Sequence, residues 1–260
     1  MPGAKPAPDT RSPLLEKLKD RIRCDGPVSV ADYMALCLAD PEHGYYVTRD
    51  PLGAKGDFTT APEISQVFGE LVGLWCAVTW QQMGAPSPLR LVELGPGRGT
   101  LMADALRATG VVAGFNDAAH VHLVETSPVL RDIQKEALSA HPERIEWHET
   151  LADVPDGAAI IVANEFLDAL PVRQFVLENN EWFERCVGIA SDGALEFCLA
   201  PTPPHDTNLI PDGIRQKARD GDIAEVCEAA GEVIRTIAAR AEAAPAAALF
   251  IDYGHIESAP

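Results

Sequence analysis

The sequence predicts an α/β fold built on a parallel sheet, to which N-terminal helices and an antiparallel insert are added. Three observations lead there. From Leu89 to Ala163 the segments alternate as strand, helix, strand, helix, strand, strand. Within that stretch Ala159–Ala163, A-I-I-V-A, is short and apolar enough to be buried on both faces, as parallel strands are. Beyond it the pattern changes to three strand-like runs, Val172–Glu178, Trp182–Ile189 and Ala194–Leu199. Asn179-Asn180 and Ser191-Asp192-Gly193 supply the turns between them.

Residues 1–12 read as a flexible tail without an apolar signal core. Residues 13–88 hold helices and a loop. Pro13–Arg23 forms a short helix, and Ser29 with Asp32 resembles a capping box opening a second helix through Leu38. Asp40-Pro41-Glu42-His43-Gly44 is a turn. The following R-D-P-L-G-A-K-G-D-F-T-T is a loop, and its end (Asp57, Phe58, Thr59, Thr60) can serve as a lid that excludes water. Thr60 then caps a helix with Pro62 in its first turn and Glu63 completing the box. Ile64, Val67, Phe68, Leu71, Leu74, Trp75 and Val78 form a helical stripe that reads as core packing, ending near Met83-Gly84.

Residues 89–171 are the expected ligand-binding core. Leu91, Val92 and Leu94 belong to a buried strand, Thr100–Thr109 to the next helix, and Gly95, Gly97 and Gly99 lie between. Glycines at such a turn let the backbone approach a ligand, and the helix start presents free N–H groups. Dinucleotide enzymes use G-x-G-x-x-G with the pyrophosphate on the helix N-terminus. Here the spacing is G-x-G-x-G, with Glu93 two residues ahead of it. A carboxylate there repels pyrophosphate and suits the ammonium group of S-adenosyl-L-methionine. A second strand, V-H-L-V-E-T-S, ends in Glu125. An acid about 20 residues past such a loop accepts ribose hydroxyls. Glu125 lies somewhat further on, with Gly110–His120 as the extra connection, and the other reading is a helix-start acid favoured by the macrodipole.

Ser127-Pro128 starts a helix with Val129, Leu130, Ile133 and Leu138 on one side, stopping before His141-Pro142. Arg144–Glu149 is the third strand, and His148 and Leu151 after it could flank adenine. The fourth strand ends in Asn164-Glu165-Phe166-Leu167-Asp168. Ligands bind beyond the carboxyl ends of such strands, so Asn164, Glu165 and Asp168 face the reactive end of the cofactor. One helical turn would put Glu165 and Asp168 on one side; the plainer reading is a capped helix start with a solvated acid. Residues 172–245 make the insert and a long helix from about Asp222 to Ala243, and residues 246–260 return to the core with a strand over Ala248–Tyr253. Asp252 ends that strand in an equivalent place, with Tyr253 and His255 as weaker candidates. A parallel edge strand needs covering, so a longer protein, with further strands after this one, is the expectation.

Composition narrows the function classes. The 260 residues are 47% hydrophobic, ordinary for a globular chain. A net charge of −18 argues against a nucleic-acid partner, which needs a basic patch; it fits a basic partner or plain solubility. The six cysteines form no C-x-x-C and pair with no histidine at metal spacing, so no metal is expected and buried thiols in a reducing compartment are. No stretch is apolar enough to span a membrane, and the cytoplasm is the default location.

Together G-D-F-T-T-A-P-E-I-S-Q-V-F-G-E, V-E-L-G-P-G-R-G-T, V-E-T-S-P, A-N-E-F-L-D-A-L-P-V and I-D-Y-G-H resemble the MidA-type S-adenosylmethionine-dependent methyltransferases, over about Leu14 to His255. Mitochondrial members of that family are protein-arginine methyltransferases that assist assembly of respiratory complex I. The resemblance implies a class I methyltransferase fold, Rossmann-like, with S-adenosyl-L-methionine as cofactor and a protein substrate such as a complex I subunit. It implies Gly95, Gly97 and Gly99 as the cofactor loop, Glu93 near the methionine amino group, Glu125 on the ribose, and Asn164, Glu165 and Asp168 as the strand-four motif. Family members continue past the end of this chain. The alternatives are an assembly factor that binds the cofactor with little turnover, and a nicotinamide oxidoreductase, which the glycine spacing and Glu93 disfavour. A base-methylating enzyme is disfavoured by the acidic charge and by N-E-F-L in place of an N-P-P-Y type of sequence.

Overall fold

The computed structural model describes residues 12–48, 57, 60–140, 144–203 and 209–254. Residues 1–11 of the tail, most of the expected lid loop (residues 49–56, Phe58 and Thr59), His141-Pro142 and His255 lie outside the described residues. The described residues fall into two compact units, one from residues up to Tyr45 with Pro171–Glu228, the other from Tyr46–Leu170 with residues 229–254.

The chain begins with α1 (Pro13–Asp25), β1 (Val28–Ser29) and α2 (Val30–Ala39). Ser29 caps α2 as its spacing predicts: its Oγ accepts from the Asp32 N–H at 3.0 Å. In the Asp40–Gly44 turn, Asp40 Oδ1 accepts from the N–H groups of Glu42 and His43, and its carboxylate pairs with Lys17. There follow α3 (Tyr45–Thr48), α4 (Ala61–Ile64), α5 (Gln66–Gln82), β2 (Leu89–Leu94), α6 (Thr100–Thr109), α7 (Phe115–Ala118), β3 (Ala119–Val124), α8 (Pro128–Ala137), β4 (Ile145–His148) and β5 (Ala159–Asn164). After these come β6 (Arg173–Glu178), β7 (Glu181–Ile189), β8 (Leu195–Leu199), α9 (Asp212–Arg215), β9 (Ile223–Val226), α10 (Glu228–Ala243) and β10 (Ala246–Ile251).

The first unit is an antiparallel sheet in the order β1-β7-β6-β9, with β8 also on β7. Asn179 and Asn180 turn the β6–β7 hairpin with φ of +53° and +64°, the left-handed pair that a two-residue hairpin requires. Phe175, Leu177, Trp182, Ile210 and Ala224 form one core; Leu18, Ile22, Val28 and Val187 form another. One expectation fails here. The long helix expected from Asp222 starts only at Glu228, because Ile223–Val226 pairs with β6 instead. Ala224 is buried and Ile223 exposed, the period-2 alternation of a strand.

The second unit is a fully parallel sheet in the order β10-β5-β2-β3-β4. One face, with Leu89, Leu91, Leu123, Ile160 and Val162, packs on α5 and α6. The other, with Val92, Leu94, Val124, Ile161 and Ala163, packs on a 3-10 turn at Leu151–Asp153 and on Val233 and Ile237 of α10. The helix expected after Thr60 breaks at Ser65, whose backbone is extended. Much of its expected core stripe is exposed: Ile64 72%, Val67 56%, Leu71 61% and Val78 51%. The buried face is Gly69, Val72, Gly73, Cys76, Ala77 and Trp80. The small residues decide this. A Cβ on Gly73 would stand 2.6 Å from Ala105 Cα, so only the glycine face lets α5 lie this close to α6.

Candidate functional site

β2 delivers Glu93 and the glycine loop to the carboxyl edge of the sheet. Gly95, Gly97 and Gly99 take φ of +63°, +55° and +81°, a region open to glycine and costly for other residues. A Cβ on Gly95 would lie 2.8 Å from the Phe166 ring, so the loop also needs glycine for space. The Gly95 N–H donates to Val124 O at 3.1 Å, tying the loop to β3. Gly99 caps α6, and Thr100 in its first turn donates to the Glu63 carboxylate, which also lies 3.7 Å from Arg98 Nε. Glu93 itself is 3% exposed. Its Oε2 has no hydrogen-bond partner among the described residues, and burial pushes its pKa up to about 8.

Glu125 directly follows β3 and is also buried. Its Oε1 accepts from the Ser127 N–H at 2.8 Å, and its Oε2 accepts from Gln134 Nε2 at 3.2 Å. Burial raises its pKa, and those two donors oppose the rise. Ser127 caps α8 through the Leu130 N–H and donates its hydroxyl to Tyr46 O at 2.6 Å. The expected ribose acid is thus also part of a helix start. Sequence reading missed Gln134, which is fully buried on α8. Its Nε2 donates to Gly97 O at 2.8 Å as well as to Glu125, while its Oε1 accepts from Trp147 Nε1 at 2.9 Å. One side chain therefore joins the glycine loop, the second acid and β4. A glutamine on an amphipathic helix carries no signal of this in sequence.

At the end of β5 the residues Asn164, Glu165 and Asp168 come together, but not on a helix. Residues 165–170 form bends and a turn, so the expected helical turn is replaced. Glu165 takes a left-handed φ of +49°, strained for a non-glycine residue, and its N–H donates to Ile251 O at 2.8 Å. Asp252, at the end of β10, holds the turn: its Oδ2 accepts from the N–H groups of Leu167 and Asp168 at 2.8 and 3.3 Å. Asn164 Oδ1 is buried with no partner among the described residues. Burial, Asp252 and Glu165 raise the Asp168 pKa, and Asp168 in turn raises that of Tyr46, whose own burial is the larger cause. The charge on Glu165 is the largest cause raising the Tyr253 pKa.

Residues 71–260 match the family described as "Putative S-adenosyl-L-methionine-dependent methyltransferase". The chain belongs to that family. It is 40% identical over 265 residues to the zebrafish (Danio rerio) "Protein arginine methyltransferase NDUFAF7, mitochondrial", covering 93% of this chain and 62% of that protein. The human protein of the same name is 39% identical, covering 97% of this chain and 62% of its own length. A Burkholderia thailandensis crystal structure bound to S-adenosyl-homocysteine is 30% identical with a TM-score of 0.77, covering 97% of this chain and 66% of that one. The chain therefore spans about 62% of the length of these curated relatives. The expected α/β fold of the class I methyltransferase type agrees with these findings. The cytoplasmic expectation does not, because the curated relatives are named mitochondrial. No helix among the described residues is long and apolar enough to cross a membrane.

The chemistry of this family's cofactor fits the residues present. A buried carboxylate oxygen without a partner among the described residues, as Glu93 Oε2 is, is costly, and a cationic group such as the methionine ammonium would offset that cost. Even with Ser127, Thr126 and Gln134 donating, the Glu125 carboxylate keeps room for a hydroxyl group, since a carboxylate accepts about four hydrogen bonds.

Proposed function

We propose that this protein transfers the methyl group of S-adenosyl-L-methionine to an arginine of a protein substrate, such as the complex I subunit that the family resemblance implies. The observation that carries the reading is the buried Glu93 carboxylate, whose Oε2 has no partner among the described residues, beside three glycines of positive φ. When bound, the cofactor supplies an electrophilic methyl group. Gly95, Gly97 and Gly99 admit it without a Cβ clash, Glu93 holds its ammonium group, and Glu125, positioned by Gln134, accepts its ribose hydroxyls. The names of the zebrafish and human relatives support arginine as the acceptor.

Arginine is protonated at neutral pH, so its nitrogens are poor nucleophiles. Glu165 and Asp168 hold the guanidinium by charge-assisted hydrogen bonds and draw its positive charge away from the attacking nitrogen. Asn164 Oδ1, without a partner among the described residues, accepts a further guanidinium N–H. Asp252 acts as a positioning residue by fixing the backbone between them.

A calorimetric titration with S-adenosyl-L-methionine tests the first half. Saturable binding is expected, weakened about 100-fold in Glu125→Ala by loss of a buried acceptor worth 2–3 kcal/mol. NAD should not bind, and tight NAD binding would sink the reading. Transfer of labelled methyl to arginine in complex I subunits, reduced by Asp168→Asn, tests the second half. Cofactor binding with no transfer to any arginine would instead favour an assembly factor with little turnover.

A further inference from the structure

The outer edge of the parallel sheet carries side chains to which the proposed methyl transfer assigns no role. His122 on β3 and Glu146 on β4 are register partners, and His148 lies two residues further along β4. The two-residue period of strands sets all three on one face. His122 Nδ1 stands 3.0 Å from His148 Nε2, and one donor atom from each of the three residues lies within 4.8 Å of the others. The rings are tilted by 42° with centroids 5.1 Å apart, so they meet through their nitrogens and do not stack. His122 is 1% exposed, His148 is half-buried and Glu146 is exposed, which makes a closed floor with an open mouth.

We propose that His122, His148 and Glu146 form a site for a divalent transition-metal ion, best suited to zinc. Two imidazoles and one carboxylate are a borderline set that favours zinc, nickel or copper over calcium or magnesium, which take oxygen ligands. Zn–N bonds of about 2.0–2.1 Å place tetrahedral ligand atoms about 3.3 Å apart, close to the present nitrogen separation. Glu146, being exposed, is the ligand that turns inward, and water completes the fourth position. Each imidazole keeps its proton on the remote ring nitrogen, so binding requires a tautomer change in one ring and no net proton loss.

The surroundings set the strength. Arg90, His120 and Arg240 face His122, and Arg131, Glu146 and Asp153 face His148. The arginines oppose a dication and the carboxylates favour it. His122 Nε2 has no acceptor among the described residues to fix its ring. Such outer partners are typically worth about 10–100-fold in affinity, so a site without one binds its ion more weakly than a fully supported site. The position states the effect: β4 pairs only with β3 among the described residues, and the ion fastens the two together. His148 O accepts from the Glu125 N–H at 3.0 Å and from Arg131 at 3.0 Å, so the clamp lies directly beside the second cofactor acid. The sequence hides the site because its ligands come from two strands.

Zinc titrated into the full chain against a chromophoric chelator tests this, with cobalt(II) as a spectroscopic substitute. One equivalent should bind and raise the thermal midpoint. The cobalt spectrum should show bands of nitrogen and oxygen ligation without thiolate charge transfer. His148→Ala should weaken binding at least 30-fold, and the exposed Glu146→Ala, which leaves the fold undisturbed, about 10-fold. Thiolate bands, or unchanged affinity in both variants, would overturn the proposal and leave the 3.0 Å contact as a hydrogen bond between two neutral imidazoles.

Discussion

Two stretches of the same sheet edge treat their carboxylates in opposite ways. Glu93 and Glu125 are buried, at 3% and 8% exposure, and Glu125 is gripped through its own oxygens by Ser127 and Gln134. At the end of β5 the grip falls on the backbone: Asp252 takes the N–H groups of Leu167 and Asp168 and leaves the Asp168 carboxylate exposed. The first arrangement suits a ligand of fixed shape, for which desolvation is settled in advance. The second suits a cationic side chain that arrives and leaves, because the turn stays in place while its carboxylate, though it accepts from the Ala169 and Asp168 N–H groups, stays exposed.

The largest effect expected from this contrast is in the pH dependence of stability. Glu93 ionises near 4.5 when unfolded and at about 8 when folded. Between those values the folded state holds the extra proton, so its stabilising share is complete below pH 4.5 and is lost as pH rises to 8. The slope is about 1.4 kcal/mol per pH unit. Urea unfolding of the cofactor-free protein across this window should show it, and Glu93→Gln should remove it. An unchanged slope in the variant would mean that Glu93 is already ionised.

Asp252→Ala sharpens the other side of the comparison. Losing the acceptor for two turn N–H groups should lower the methyl-transfer rate on the order of 100-fold, as misplacement near the reacting atoms does. Cofactor affinity should stay within a factor of three in the same protein, since Asp252 makes none of the glycine-loop contacts. Equal losses in both quantities would show that the two stretches are not separate. Gln134→Leu should do the reverse. It should raise the cofactor dissociation constant about 10-fold and cost 1–3 kcal/mol through unpaired buried groups, with the rate at saturation little changed. The smallest effect belongs to α5: Leu71→Ser should change stability by no more than about 0.5 kcal/mol, whereas Val72→Ala, one residue along, should cost about 2 kcal/mol.

How much of this was legible differs by region. The strand, the three glycines and the acid ahead of them were, because positive φ and close backbone approach restrict those positions to glycine wherever the chain lies. The Ser29 and Ser127 caps were legible for a similar reason, since each acts on an N–H three residues away. The face of α5 was not. Its bulky stripe has the stronger periodicity, yet Gly69 and Gly73 win because α6 approaches there. β9 was misread as helix because pairing with β6, distant in sequence, overrides local preference.

The sequence by itself therefore determined the alternating α/β plan, the glycine loop, the two acids beside it and the family. These depend on conformational limits and contacts within a few residues. Only the tertiary structure decided that Gln134 links loop, acid and β4, and that Asp252 holds a turn 84 residues earlier in the chain. It alone brought His122 to His148 across adjacent strands. The physical reason is that these are contacts between elements, set by sheet register and helix packing, and neither leaves a local mark on the residues involved.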